Sequence, residues 1–237
     1  MSVLRIPFLL AATVGIHITM TPPNPPPSQA EQLPPQGTER LAPRWLPLVL
    51  KAGFWACGLA EIAVIAACAS PSFAASTAIL ESLDRTGSSA YLKITPVFLM
   101  GWALNLGGTI IRLYCYRRLR TLFTFQLSIR ENHKLITTGL YSIVRHPSYT
   151  GAVLAGVGVA LCHLSPGSWL VECSGLVTPG EPWVYKVVPT WGVGLSVASS
   201  ALGARIRKED RMLRERFGPE WEAWAERVPY RIFPGVF

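Results

Sequence analysis

Charged residues are scarce in this sequence. They make up 15% of the 237 residues, whereas a soluble domain carries about a quarter, and half of the residues are apolar. The composition therefore argues against a soluble domain and for a membrane protein. The net charge of +8 would raise the question of nucleic acid in a soluble chain. Here the basic residues concentrate in segments 116–148 and 205–237, as in the cytoplasmic loops of membrane proteins, so we expect no nucleic acid partner.

Motifs for several common chemistries are also absent. The cysteines form no CxxC pair and no Cys/His zinc pattern, so we expect neither a disulfide framework nor a metal site. The sequence has no P-loop, serine nucleophile elbow or HExxH motif. The glycines at 151, 156 and 158 follow no strand and are better explained by close helix packing. We interpret the five cysteines as small buried residues: Cys57, Cys68, Cys115, Cys162 and Cys173.

The N-terminal part of the chain changes character twice. Residues 1–20 contain Arg5 followed by an apolar run, and two interpretations stay open, a signal peptide or a first membrane helix. Residues 21–44 hold eight of the twenty prolines, which predicts an extended, solvated linker. We expect residues 45–94 to form a membrane helix and a lumenal loop, and residues 95–237 to form a membrane core that ends in an amphipathic segment.

Four apolar stretches are each about long enough to cross a bilayer as a helix, at 45–69, 95–115, 151–171 and 183–203. Together with the N-terminal run, they predict an all-α, multi-span membrane protein with about four to five transmembrane helices. Glu61 lies inside the first of these stretches. Because a carboxylate is costly in lipid, we expect it to face a polar neighbour.

The connecting segments orient the predicted spans. The segments before the first span, after the second and after the fourth carry two, six and eight Lys and Arg residues, against two and none in the others. This bias places segment 116–148 and the C-terminal tail together on the cytoplasmic side. The last two spans then form an antiparallel pair with cytoplasmic ends near Arg145 and Arg205. The polar residues at these two ends are therefore predicted to share one chamber.

The first polar cluster is the stretch RHPSYTG at 145–151. Pro147 disfavours helix at His146 and suits the first turn of a helix, so the stretch predicts a turn that enters a helix N-terminus. Such a turn presents free N–H groups and a positive dipole to a polar ligand. An isolated instance is more often an ordinary membrane-flanking loop, so the expected meeting with Arg205 is what favours a functional role.

The second cluster lies on the last predicted span and beyond it. Arg205 and Glu209 are four residues apart and share one face of a continuous helix, a spacing that by itself usually marks a surface ion pair. The FGP triplet at 217–219 predicts a helix end followed by a new helix. Trp221 and Trp224 then recur at helical spacing, which predicts an amphipathic helix on the membrane interface with its tryptophans at headgroup depth.

Four stretches taken together closely resemble the isoprenylcysteine carboxyl methyltransferase family. They are LITTGLY at 135–141, RHPSYTG at 145–151, RIRKED at 205–210 and FGPEWEAWAERVPYRIFPGV at 217–236. The resemblance covers about residues 98–237 and extends to the broader phospholipid methyltransferase-like membrane methyltransferases. The chain length and the Pro-rich linker are similar to those of a fungal member.

The resemblance implies a multi-span enzyme of the endoplasmic reticulum membrane whose cofactor pocket, in the core over 95–237, faces the cytoplasm. It implies that S-adenosyl-L-methionine methylates the C-terminal carboxylate of the prenylated cysteine in CaaX-processed proteins, beside the lipid bilayer. The family's catalytic positions correspond to Glu209 and to Arg205, which lies on the substrate side. Its cofactor-binding positions correspond to Gln126, His133, Lys134, Leu135, Ile136, Tyr141, His146, Pro147, Ser148, Tyr149 and Glu209.

This chain departs from the family pattern at two places. Asp210 stands where the family usually has glutamate, which leaves the role of that position open. The connection 172–182 lengthens the gap between the two motifs, but we expect it on the far side of the membrane.

The implied chemistry suits these residues. A C-terminal carboxyl group has a pKa of about 3.3 to 3.7, so it is ionised near neutral pH and its attack on a methyl group needs no general base. We expect Arg205 to hold one carboxylate oxygen and Glu209 to offset the cationic cofactor or bind its polar groups. His146, Tyr149 and the helix N-terminus would contact the cofactor's carboxylate and ribose. An apolar route between helices would admit the prenyl chain.

Three other functions stay open from the sequence. A phospholipid or small-amine methyltransferase would share the cofactor core but would need a base for its acceptor. A sterol reductase-like enzyme would use a reduced nicotinamide, and a non-catalytic membrane scaffold would keep only the fold. The residues distinguish neither farnesyl from geranylgeranyl substrates nor one oligomeric state from another.

Overall fold

The computed structural model describes residues 3–28, 46–128, 134–176 and 184–236, and covers only the backbone for residues 46 and 184–200. Over these ranges every extended regular element is a helix, which confirms the all-α prediction. The helices are α1 (Arg5–Thr19), α2 (Leu46–Ala69), α3 (Ser76–Leu83), α4 (Pro96–Leu119), α5 (Pro147–Leu164), α6 (Trp169–Glu172), α7 (Val184–Phe217) and α8 (Pro219–Arg227). Short 3₁₀ turns lie at Ser89–Tyr91, Arg120–Leu122 and Gly139–Ser142.

Three helical segments in the described residues are long and apolar enough to cross a bilayer, at Pro47–Ala69, Pro96–Leu122 and Pro147–Leu164. They confirm the first three predicted spans and make the chain a multi-pass helical membrane protein. The fourth predicted span, 183–203, falls on the first part of α7, where side chains are outside the described residues, and it stays a prediction. The Pro-rich linker predicted over 21–44 also lies outside them beyond residue 28.

The third span begins and ends earlier than the predicted bounds of 151–171. Pro147 occupies the first turn of α5, where its missing N–H costs no helical hydrogen bond. The helix ends at Leu164 because Pro166 pushes Ser165 into extended backbone, with ψ at 156°. Gly167 follows with φ at +87°, a conformation that favours glycine, and the chain turns into the short helix α6.

Glycines bring α4 and α5 into close contact. A Cβ atom on Gly101 would lie 2.7 Å from the carbonyl oxygen of Gly158, and one on Gly151 would lie 2.7 Å from that of Gly108. Both distances are too short for real carbon atoms, so the two backbones approach closely only because these side chains are missing. The packing role predicted for Gly151 and Gly158 is therefore confirmed, whereas Gly156 faces open space.

A buried ion pair holds α1 in the bundle, where it also packs against α4 and α5. The guanidinium of Arg5 pairs with the carboxylate of Glu61 in α2, and both side chains are almost fully buried. Arg5 also donates to the carbonyl oxygen of Lys93 and lies over the ring of Phe98. The second Glu61 oxygen accepts the backbone N–H of Trp169 at 3.1 Å. Glu61 thus has the polar neighbour that the sequence predicted.

We expect loss of either partner of the Arg5–Glu61 pair to destabilise the fold strongly. Arg5→Ala or Glu61→Ala leaves an uncompensated buried charge and should lower the free energy of unfolding by about 3–5 kcal/mol. The double variant Arg5→Met/Glu61→Met should lose less than either single variant. Denaturant titration of the detergent-solubilised protein measures these differences.

The matched control is Glu222→Gln, which breaks the Arg214–Glu222 pair, whose side chains are 62% and 49% exposed. This change should cost at most about 1 kcal/mol because water screens exposed charges. Equal losses from the buried and the exposed pair would contradict the prediction.

Candidate active site

A cavity of about 310 Å³ lies where α4, the start of α5, the C-terminal half of α7 and α8 meet. Most residues that the sequence assigned to the site line it. They are Gln126, Lys134, Leu135, Ile136, Tyr141, His146, Ser148, Tyr149, Arg205 and Glu209. Pro147 does not line the cavity, because it forms the buried first turn of α5. His133 lies outside the described residues.

The C-terminal tail shapes the turn before α5. The backbone N–H groups of Arg145 and His146 donate to the carbonyl oxygens of Tyr230 and Arg231 at 2.9 and 2.8 Å. Thr150 donates its hydroxyl to the carbonyl oxygen of Ile232 at 2.7 Å. The tail therefore satisfies backbone donors that would otherwise be unpaired before the helix begins. Sequence reasoning noted the RVPYR stretch only as part of the resemblance and did not predict this pairing.

Two consecutive acidic residues of α7 contact the same imidazole ring. Nε2 of His146 lies 2.9 Å from Oδ1 of Asp210, and its Nδ1 lies 3.6 Å from Oε1 of Glu209. Successive helix residues point about 100° apart, so the two carboxylates reach the ring from different sides. Asp210 is 7% exposed and turns away from the cavity, whereas Glu209 lines it.

Asp210 is an anchor for three cationic groups. Besides His146, it accepts hydrogen bonds from Nη2 of Arg145 at 3.2 Å and from Nε of Arg231 at 3.3 Å. Arg145 in turn donates to the carbonyl oxygens of Val228 and Pro229 in the tail. The acidic position whose role the sequence left open therefore joins α7, the turn before α5 and the C-terminal tail.

The contacts among His146, Glu209 and Asp210 keep all three side chains in their charged forms. Burial by itself would lower the pKa of His146, but the hydrogen bonds and charges of Asp210 and Glu209 outweigh it and raise the pKa to about 9. Burial would likewise raise the pKa of Glu209 and of Asp210, but the contacts with His146 outweigh it and lower both. At neutral pH the cluster is an imidazolium between two carboxylates.

A hydrogen-bonded chain links Arg205, Tyr149 and Glu209 at the cavity wall. Nε of Arg205 donates to the hydroxyl oxygen of Tyr149 at 2.6 Å, and that hydroxyl donates to Oε2 of Glu209 at 2.6 Å. Nη2 of Arg205 also donates to the carbonyl oxygen of Phe125. The turn around His146 and the face of α7 that bears Arg205 therefore share one chamber, as the sequence predicted.

The helix end and restart predicted at 217–219 are present, because α7 ends at Phe217 and α8 begins at Pro219. The predicted interfacial position of Trp224 is wrong. Its side chain is 2% exposed, donates from Nε1 to the carbonyl oxygen of Tyr141 at 3.0 Å, and lines the cavity. The amphipathic pattern of α8 reflects packing onto the protein rather than onto lipid.

Sequence reasoning missed Arg112 in α4. Its Nη1 atom donates to the hydroxyl and the carbonyl oxygen of Ser148, at 2.5 and 3.2 Å, and its side chain lines the cavity beside Phe123 and Phe125. The available signal was an arginine inside an otherwise apolar span, which is costly in lipid and therefore usually functional.

These features define a multi-pass helical membrane protein with an ionic site beside a mixed polar and apolar cavity. Residues 101–178 match the isoprenylcysteine carboxyl methyltransferase family, which confirms the resemblance seen in the sequence. A protein-S-isoprenylcysteine O-methyltransferase B from Arabidopsis thaliana is 31% identical over 136 residues, covering 54% of this chain and 58% of the plant protein.

Sterol reductases are also similar to this chain. A Delta(14)-sterol reductase from Gibberella zeae is 25% identical over 182 residues, covering 62% of this chain and 37% of the reductase. A probable 7-dehydrocholesterol reductase from Acanthamoeba polyphaga mimivirus is 27% identical over 104 residues, covering 44% of this chain and 19% of the reductase. The chain thus spans 58% or less of the length of these relatives. No solved structure gives a significant match.

We expect Asp210→Asn to destabilise the protein by about 3–5 kcal/mol, because it leaves buried Arg145 and His146 without their shared carboxylate. Asp210→Glu keeps the charge and should lose less. Denaturant titration of the solubilised protein measures the effect. Glu215→Gln, an exposed change on the same helix, is the control and should stay within about 0.5 kcal/mol of wild type. An equally small effect of Asp210→Asn would contradict the anchoring role.

The raised pKa of His146 predicts a pH-dependent stability. The folded protein holds this proton up to about pH 9, whereas an unfolded histidine releases it near pH 6.5. The contribution is therefore fully present below about pH 6.5 and is lost as the pH rises through about 9. The unfolding free energy should fall across this window in wild type and less steeply in His146→Gln. Parallel pH profiles of the two proteins would contradict the assignment.

Proposed function

We propose that the cavity binds S-adenosyl-L-methionine and that the protein methylates the C-terminal carboxylate of a prenylated cysteine in CaaX-processed proteins. The observation that carries this proposal is the Arg205–Tyr149–Glu209 chain at the wall of a cavity that α4, α5, α7 and α8 all help to line. The family match over 101–178 supports it. We further propose that the protein resides in the endoplasmic reticulum membrane with this cavity facing the cytoplasm, where the positive-inside bias would place it.

The residues present fit this cofactor. When bound, S-adenosyl-L-methionine supplies a methyl group attached to a positively charged sulfur. Glu209 offers a carboxylate, and Phe123 and Trp224 offer aromatic faces, all of which attract a cation. Leu135 and Ile136 provide apolar wall for a flat base, and the cavity volume lies at the lower end of the range for small-molecule sites, about 300–1,000 Å³.

Within this proposal, Arg205 orients the carboxylate that accepts the methyl group. Its Nε and Nη2 atoms are engaged by Tyr149 and by the carbonyl oxygen of Phe125, so the guanidinium plane has a set direction before substrate arrives. Orientation of this kind can contribute roughly 7–11 kcal/mol when both reactants are well placed. The acceptor carboxylate is already ionised, so no side chain has to remove a proton.

Glu209 has a different task from Asp210. It keeps its negative charge because His146 lowers its pKa, and it faces the cavity, where it can attract a cationic ligand. His146 uses its ring nitrogens on the two carboxylates, so it acts on a ligand by holding Glu209 in place. The hydroxyl of Tyr149 contacts both Glu209 and Arg205, so the position of Glu209 also fixes that of Arg205.

The membrane would deliver the prenylated substrate. Several large apolar side chains of α4 are exposed, among them Leu99, Met100 and Ile110, which is typical of a lipid-facing surface. A prenyl chain partitions into lipid with about 0.8 kcal/mol for each buried CH₂ unit, so it reaches such a surface without a separate carrier site. Methylation then removes one negative charge beside an anionic leaflet and strengthens attachment of the product.

A reductase function is the second candidate, because sterol reductases match up to 62% of this chain. Such an enzyme would bind a reduced nicotinamide and consume it with a sterol. The two functions therefore differ in which cofactor is used, and one preparation of membranes can test both.

We expect membranes containing this protein to transfer the labelled methyl group of S-adenosyl-L-methionine to N-acetyl-S-farnesylcysteine. Arg205→Gln and Glu209→Gln should each lower kcat/KM about 100-fold or more, because a charged contact to the reactants is worth roughly 2.7–4 kcal/mol. Arg207→Gln removes an exposed charge two residues away on the same helix and should leave the rate unchanged.

Which acceptor is methylated, and which cofactor is consumed, distinguishes the candidate functions. Methyl transfer to an amine headgroup but not to the prenylcysteine would replace the substrate assignment. Sterol-dependent oxidation of a reduced nicotinamide, without methyl transfer, would favour the reductase. Unchanged methylation by both site variants would remove Arg205 and Glu209 from the site.

A further inference from the structure

Arg112 places a buried positive charge at the cavity. It lies in α4, its side chain is 8% exposed, and it lines the cavity. Among the residues that the structure describes, no Asp or Glu forms an ion pair with it. This sets it apart from Arg5 and Arg145, the other deeply buried arginines of the described residues, which pair with Glu61 and Asp210.

Neutral groups hold the Arg112 side chain in one place. Nε donates to the carbonyl oxygen of Thr19 at the end of α1 at 3.3 Å, and Nη1 donates to the hydroxyl and carbonyl oxygens of Ser148 in the first turn of α5. The rings of Phe123 and Phe125 lie 5.3 and 5.0 Å from its central carbon. These contacts orient the guanidinium but none of them neutralises its charge.

An oriented cation that neutral groups hold at a cavity wall is a recognition element for an anion. A buried charge without a counter-charge is strongly unfavourable. No carboxylate of the described residues pairs with this guanidinium, so it is best explained by a ligand that supplies the negative charge. The planar guanidinium matches the two oxygens of a carboxylate. The N-terminal end of α5, which Arg112 contacts through Ser148, adds positive dipole at the same place.

We propose that Arg112 binds a carboxylate of a ligand in this cavity. The inference rests on the function proposed above, and that function offers two carboxylates, one on the amino-acid end of the cofactor and one on the prenylcysteine. Arg205 provides one cation for these two carboxylates, and Arg112 provides a second. The shared chemistry is a carboxylate held in the cavity, and binding measurements identify which ligand carries it.

The test compares ligands with and without the carboxylate in the full-length, detergent-solubilised protein. S-adenosylhomocysteine carries the amino-acid carboxylate, whereas 5′-methylthioadenosine lacks that whole end. N-acetyl-S-farnesylcysteine carries a free carboxylate, and its methyl ester does not. Calorimetry measures the affinity of each ligand for wild type, Arg112→Gln and Arg112→Lys, without any turnover.

We expect Arg112→Gln to weaken binding of one carboxylate ligand about 10- to 100-fold while its partner without the carboxylate is unaffected. Arg112→Lys should recover part of the loss, because it keeps the charge without the planar donors. The matched control is Arg117→Gln, which removes an exposed arginine of α4 outside the cavity lining and should change no affinity.

The outcomes separate the inference from the function it rests on. Selective loss of S-adenosylhomocysteine binding assigns the cofactor carboxylate to Arg112, and selective loss of farnesylcysteine binding assigns the substrate carboxylate. Equal weakening of both members of each pair, or no change in any, overturns the inference and leaves Arg112 as a link between helices. If Arg112→Gln does not fold, the same comparison in Arg112→Lys decides. Failure of wild type to bind either adenosine ligand overturns the proposed cofactor itself.

Discussion

The contact of one imidazolium with two consecutive carboxylates is the interaction on which the rest of the site depends. His146 ends the turn before α5, and Glu209 and Asp210 belong to α7, so this contact joins two segments that are more than sixty residues apart. The charges of His146 and Asp210 are buried and would be unfavourable alone, but the three charges together compensate one another. Asp210 also binds Arg145 and Arg231, which fastens the tail to the same point. Glu209 is thereby left facing the cavity in its ionised form.

A second buried ion pair lies at the other end of the bundle and has a different role. Arg5 and Glu61 join α1 to α2, and Glu61 also accepts the N–H of Trp169 beyond the end of α5. At the opposite end of α1, the carbonyl oxygen of Thr19 meets Arg112 near the start of α5. Ionic and polar contacts at both ends therefore hold α1 antiparallel to α5. Glycines allow α4 and α5 to pack closely against each other.

Several features of the site were predictable because they depend on local geometry. Pro147 starts a helix wherever the chain places it, and a spacing of four puts Arg205 and Glu209 on one face of any continuous helix. The Lys and Arg bias of the connecting segments was enough to predict that the His146 turn and Arg205 lie at the same end of the helix bundle. Trp224 was assigned wrongly because an apolar helix face looks the same in sequence whether lipid or protein covers it. The separate tasks of Glu209 and Asp210 depend on which way each residue faces, and sequence spacing does not contain that information.

The amino-acid sequence by itself determined the helical membrane class, the first three spans and the two motifs that meet at the cavity. These follow from composition, hydrophobic length and the conformational limits of proline and glycine, which act over a few residues. Only the tertiary structure decided that Asp210 anchors the C-terminal tail, that Trp224 lines the cavity and that Arg112 brings a buried positive charge to its wall. Those properties arise from contacts between residues distant in the chain, because the energy of a buried charge depends on which groups the fold places around it.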